Sequence, residues 1–160
     1  RSSDLAGEKH GLKLVGARAQ NWLRQEKSYR AFGNELGRDA TPLEAALDRF
    51  VDLKKDFQGK EAMLATGIRS KCCTLLIDGP SDTDPWGKEA LLLDGVKIGR
   101  LTSGGYSVAF GKQIGMGYVR PDLAEVGTKL KARMNRELWD AVVVEDSPFD
   151  PSNARIRIDG

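Results

Sequence analysis

ALLLDGVKIGRL, residues 90–101, is the stretch on which the fold turns. Two apolar runs flank Asp94-Gly95, a dipeptide that accepts the left-handed backbone a two-residue hairpin demands. The spacing predicts paired antiparallel strands at 90–93 and 96–101. Working outward, short apolar runs bounded by turn residues recur at 106–110, 113–119, 129–134 and 138–144, and upstream at 72–77. Six or seven short strands joined by compact turns predict an antiparallel barrel or small sandwich. In 129–134, Lys129, Lys131 and Arg133 alternate with Leu130, Ala132 and Met134, the pattern of a strand with one solvated basic face.

Ahead of residue 70 the period changes from two to about three and a half. Residues 4–10 are expected to be the tail of a helix closed by Gly11, and 12–16 a short strand or connector. Residues 17–25 are helix-compatible, with Ala17, Trp22 and Leu23 as one buried stripe. Thr41-Pro42-Leu43-Glu44 has the form of a capping box with proline at the first helical position. It predicts a helix over 42–54 that buries Leu43, Ala46, Leu47, Phe50 and Val51, and a second, short helix at 60–66 ending on Gly67. The fold class is therefore α+β.

Composition narrows the function classes. With 160 residues, 40% apolar and 30% charged, the chain has material for one good core or two small ones. A formal net charge of +2 gives no basis for a nucleic-acid binder, and no run is long and apolar enough to span a membrane as a helix. Cys72 and Cys73 are adjacent, which suits neither an unstrained disulfide nor a CxxC metal knuckle. Reduced thiols in a reducing compartment are expected, either cytoplasm or mitochondrial matrix, with cytoplasm favoured. His10, the single histidine, is read as solvated at a helix end. Gly105 to Lys112 fails as a phosphate loop, since five residues separate its glycines and Gln113 stands where a Ser or Thr is needed. Gly115-Met116-Gly117 fails as a dinucleotide fingerprint, and these glycines are read as bends or bulges in strands. Thr102-Ser103-Gly104-Gly105-Tyr106 combines hydroxyls with glycines that permit close backbone approach. Asp140, Glu145, Asp146 and Asp150 make no convincing acid-base couple. No residue is assigned a catalytic or metal-binding role.

Residues 23–46, LRQEKSYRAFGNELGRDATPLEAA, concentrate Arg24, Glu26, Lys27, Tyr29, Arg30 and Phe32 within nine positions. Such a density of forked donors, an acceptor and ring faces suits a planar ligand bearing amide and anionic groups. The plainer reading is a solvated helix end held by local ion pairs.

This run, with LKKDFQGKEAM at 53–63 and GRLTSGGYSVAFGKQIGMGYVRPDLAEVGTKL at 99–130, resembles the glycine cleavage T-protein (aminomethyltransferase) superfamily over nearly the whole chain. The form Glu26-Lys27-x-Tyr29-Arg30 looks closer to its flavin-linked dimethylglycine and sarcosine dehydrogenase branch. The resemblance implies that 1–67 is the end of an α/β folate-binding domain and 68–160 a C-terminal β-barrel. It implies tetrahydrofolate as cofactor, with Arg24 and Glu26 matching the family's Arg-x-Glu motif and Tyr29 and Arg30 as further candidates. The family carries leucine at position 25 and glycine or a small residue at 28, where this chain has Gln25 and Ser28. A small methylated amine would be the substrate and an upstream domain of the same chain the partner. FAD would belong to an N-terminal domain not in this sequence. The family's aspartate and Thr-Gly-Glu segment are likewise not in it, so the piece alone is expected to be inactive, and a chain opening on Arg1 is expected to be a cut or processed piece. Two alternatives remain open: a stand-alone aminomethyltransferase or folate-dependent demethylase, and a non-catalytic structural barrel. Lys129, Lys131 and Arg133 could also attract a folate glutamate tail.

Overall fold

The computed structural model describes residues 2–155 and 157; the ends of the two expected domains at 1 and 158–160 lie outside the described residues. Three helices, α1 (Ser2–Glu8), α2 (Ala17–Glu26) and α3 (Lys60–Thr66), precede six strands. The strands are β1 (Lys71–Ile77), β2 (Ala90–Leu93), β3 (Val96–Ser107), β4 (Lys112–Val119), β5 (Lys129–Met134) and β6 (Glu137–Val144). They form a closed antiparallel barrel in the order β1-β4-β3-β2-β5-β6. Asp94 and Gly95 both adopt positive φ, 50° and 79°, as the hairpin requires.

Inward-facing residues alternate along each strand. In β5, Leu130, Ala132 and Met134 are buried while Lys129, Lys131 and Arg133 face water, and Lys131 reaches Asp140 across the β5–β6 pair at 2.8 Å. Cys72 and Cys73 are free and buried on opposite sides of β1, Cys73 in the barrel core and Cys72 against Met116 and Tyr118. Burial pushes both thiols up to about 12.

β3 runs on without a break through Thr102-Ser103-Gly104-Gly105-Tyr106. Its register slips by a bulge between Leu101 and Ser103, and Gly104 and Gly105 stay within the strand. A Cβ on Gly105 would lie 2.0 Å from Trp22 of α2, and one on Gly104 2.5 Å from Pro85. Gly105 lets α2 lie directly on the outer face of β3, and Gly104, pointing to the opposite face of the strand, makes room for Pro85.

The expected helix over 42–54 does not form. The capping box itself does: the Thr41 amide donates to Glu44 Oε2 at 2.8 Å, and the Glu44 amide to Thr41 Oγ1 at 3.2 Å. One turn later Ala46 has φ 55°, which ends the helical path, and only a short 3-10 turn, Asp48–Phe50, follows. Phe50 is 71% exposed and is not core. The stripe expected on α2 is corrected too, since Leu23 is 57% exposed and the buried residues are Gln25 and Glu26. Residues 12–16 form a connector, not a strand.

Candidate functional site

α2 lies on β3, with Trp22 over Gly105, and so delivers Arg24 and Glu26 to the barrel's outer face. The chain leaves α2 through Ser28, whose φ of 53° is a conformation easier for glycine. Its hydroxyl compensates: Ser28 Oγ lies 2.8 Å from Thr74 Oγ1 of β1 and accepts from the Ser147 amide at 2.9 Å. Beside it Lys27 donates to the carbonyls of Phe149 and Asp150, at 3.2 and 2.6 Å.

Arg24 is held on three sides. Its Nε donates to Asn21 Oδ1 at 2.8 Å, and Nη1 to the Tyr29 carbonyl at 2.8 Å and to Glu35 Oε2 at 2.9 Å. Nη2 is buried with no partner among the described residues. Glu35, only 1% exposed, accepts on Oε2 from Arg24 and the Ala31 amide, and on Oε1 from Thr102 Oγ1 at 2.8 Å and from Ser103 Oγ. A buried carboxylate demands such saturation, because each unmatched lone pair there carries a desolvation penalty.

Glu26 points elsewhere. Buried at 5% exposure, it accepts on Oε1 from Ser107 Oγ at the end of β3. Arg30 donates to the Ser28 carbonyl at 2.7 Å and pairs with Asp146 Oδ2 at 2.7 Å. Tyr29 is half exposed. The structure thus joins Arg24 to the Tyr29 backbone, while Glu26 and Arg30 are fixed to the barrel separately. Local pairs hold only part of the charged run: Arg24 is bonded within residues 21–35, while Glu26, Lys27, Ser28 and Arg30 find partners on β3, β1 and the segment after β6.

A 340 Å³ cavity opens between α2, β3 and the loop before β2, and Asn21, Trp22, Asn34, Trp86, Thr102 and Ser103 are among its walls. Three of these, Asn21, Thr102 and Ser103, also bond Arg24 or Glu35, so the ion pair underlies the cavity floor. Trp86, 92% exposed, offers an open ring face at the rim. Indole faces with amides and hydroxyls suit a flat, hydrogen-bonding heterocycle.

A second buried acid anchors the neighbouring segment. Arg69 donates to both Glu44 oxygens, at 2.9 and 3.0 Å, and the Glu44 carbonyl accepts from the Cys72 amide of β1 at 2.7 Å. The bonds from Arg69, joined by the Thr41 amide and opposed by burial, hold the Glu44 carboxyl at about 2. Glu35, Ser107 and Glu44 were not singled out as site partners in the sequence. They lie 11, 81 and 25 positions from the residues they bind, and no local spacing reports such pairs. Asp146, in the sequence one of four acids with no convincing acid-base partner, is the counterion of Arg30. Among the described residues no group of three or more His, Cys, Asp or Glu side chains could hold a metal ion.

Comparison with known proteins gives the following. Residues 71–150 match the glycine cleavage T-protein C-terminal barrel domain, and residues 5–55 match the GCVT N-terminal domain. Mitochondrial dimethylglycine dehydrogenase of Rattus norvegicus is 37% identical over 97% of this chain, and that of Homo sapiens 38% over 88%. The chain spans only 19% and 17% of those relatives' lengths. An aminomethyltransferase of Natranaerobius thermophilus is 33% identical over 90% of this chain and 40% of its own. The crystal structure of the glycine cleavage system aminomethyltransferase T from Bartonella henselae superposes with a TM-score of 0.81 at 25% identity, over 94% of this chain and 43% of that one.

Proposed function

Because the chain belongs to the glycine cleavage T-protein family and carries its C-terminal barrel, we propose that it is the tetrahydrofolate-binding C-terminal module of a dimethylglycine or sarcosine dehydrogenase-like enzyme. The parent would transfer a one-carbon unit from an N-methylated glycine to tetrahydrofolate. A domain boundary at 67/68 is supported by the two matched segments, 5–55 and 71–150, which lie on either side of it. The exposed apolar side chains of the first part, such as Leu14, Phe32 and Phe50, meet the rest of the folate-binding domain upstream.

The observation that carries this reading is the segment 24–30, pinned to the barrel by buried polar bonds and lying beside a cavity lined by indole rings and amides. Arg24 has a buried, unpartnered Nη2 donor, which fits a carbonyl or ring-nitrogen acceptor such as tetrahydrofolate presents. Glu26 supplies an acceptor for ring N–H groups, Tyr29 a ring face, and Arg30 holds the segment through Asp146. Bound tetrahydrofolate supplies the nucleophilic nitrogens that receive the one-carbon unit. The contribution of this chain is to bind and orient it, with the chemistry performed by upstream residues. FAD, if the parent is a dehydrogenase, sits in an upstream domain, and no residue of this chain is assigned to it. The parent works in a reducing compartment, in keeping with two free buried thiols; no described helix is long and apolar enough to cross a membrane.

A stand-alone aminomethyltransferase is the second reading, favoured by the Natranaerobius relative and the Bartonella superposition. The visible absorption spectrum of the full-length native protein separates the two. Flavin bands support the dehydrogenase; a colourless protein that binds tetrahydrofolate supports the transferase. A full-length protein that does not bind tetrahydrofolate in a titration defeats both, and leaves a structural barrel.

A further inference from the structure

We propose that Glu35 is a positioning residue for the folate site, acting through Arg24; this rests on the reading that segment 24–30 faces tetrahydrofolate. Glu35 is not among the walls of the cavity, yet among the described residues it is the one acidic partner of Arg24, whose other two bonds go to Asn21 and the Tyr29 carbonyl. One carboxylate oxygen takes both the Arg24 Nη1 donor and the Ala31 amide, which clamps the two ends of the turn that carries Tyr29 and Arg30. The other oxygen takes Thr102 Oγ1 and Ser103 Oγ from β3. The Glu35 backbone carbonyl adds a bond from Tyr118 Oη of β4, at 2.8 Å. One side chain therefore links Arg24 to the barrel wall and, with Asn21 and the Tyr29 carbonyl, sets the direction in which the free Nη2 edge of Arg24 points.

Arg69, the partner of the buried Glu44, has a side chain 58% exposed, whereas that of Arg24 is 16% exposed, bonded on three sides, and left with one buried nitrogen unpartnered among the described residues. The combination is the usual way of holding a guanidinium in one rotamer before the ligand arrives. Glu35→Gln tests it with little change of shape. The Thr102 hydroxyl also lies 3.0 Å from the Met116 carbonyl. In the variant it donates there and accepts from the new amide, so the barrel side of the network stays satisfied while Arg24 loses its counterion.

The experiment is a tetrahydrofolate titration of the full-length protein as wild type, Glu35→Gln, Arg24→Ala and the double variant, with thermal melts alongside. Glu35→Gln is expected to weaken binding about ten- to a hundred-fold, Arg24→Ala to a similar degree, and the double variant no further than the worse single one. Wild-type affinity in a folded Glu35→Gln protein overturns the proposal, as do losses in the double variant that multiply. Wild-type affinity in Arg24→Ala overturns the assignment of Arg24 to the site, and with it the route by which Glu35 acts. Should Glu35→Gln fail to fold, Tyr118→Phe removes the bond to the Glu35 carbonyl at a residue outside the cavity walls; an affinity loss of about two- to five-fold supports the proposal, and none overturns it.

Discussion

In the barrel core Leu75, Ile77, Leu91 and Leu101 show no exposed surface, and the one fully buried amide on its strands, Gln113, donates to the Pro80 carbonyl. In residues 17–46 the buried side chains are Gln25, Glu26, Ser28, Glu35, Glu44 and Ala45, while Phe32 is 84% exposed. Where the two regions meet, the barrel contributes its own buried hydroxyls, Thr74, Ser103 and Ser107, and each bonds a side chain of the segment. Apolar burial is non-directional and stabilises a core without fixing each angle. Hydrogen bonds to buried charges are directional and costly to misplace, so they set where the segment sits to within a fraction of an ångström. One region supplies stability, and the other supplies placement.

Substitutions can break or sharpen that contrast. Leu75→Ala should have the largest effect, costing about 2 to 5 kcal/mol by denaturant unfolding, because it opens a cavity in the apolar core. A midpoint close to wild type would mean that the barrel is not the source of stability. Gln25→Leu should act in the opposite direction. Gln25 is fully buried and neither amide atom has a partner among the described residues, so leucine should stabilise by about 1 to 3 kcal/mol. A loss of stability would show that the amide has found partners and belongs to the polar set after all.

Acid should loosen the segment before it unfolds the barrel. Glu44 has a folded-state value of about 2 against an ordinary 4.5, so its contribution is fully present above about 4.5 and is lost as pH falls through about 2. With solvent screening this is on the order of 1 kcal/mol. In Glu44→Gln the dependence of the melting temperature on pH over that window should flatten; an unchanged slope would assign the acid sensitivity to other carboxylates. Smallest of all, Phe50→Ala should change stability by less than about 0.5 kcal/mol, since the ring is 71% exposed. A cost of several kcal/mol would return Phe50 to the core that its helical spacing first suggested.

The two regions were also unequally legible in the sequence. Strand alternation and Asp94-Gly95 located all six strands, because a period of two with one face buried is a local signal. β3 was read as two pieces because Gly104 and Gly105 resemble a break, whereas they serve the approach of Trp22 and Pro85. The capping box at Thr41 reports only how a helix begins. Its continuation depends on packing, and here Glu44 turns to Arg69 and β1 instead, with Ala46 in the left-handed region. Arg24 and Glu26 stand out as a motif, but the counterion of Arg24 sits eleven residues on, across a turn, and the partner of Glu26 at the far end of β3. Pairing of that kind is a property of the folded state and leaves no spacing to read.

The closing ladder of the barrel joins Thr74↔Val144 through Ile77↔Ala141, so the first strand is bonded to the last. During synthesis β1 leaves the ribosome well before its closing partner exists. At ordinary elongation rates of about 5 to 20 residues per second, roughly 3 to 13 s separate the making of Ile77 from that of Val144. For that interval the apolar run Leu75-Leu76-Ile77 has an open edge, a template on which a foreign strand can pair.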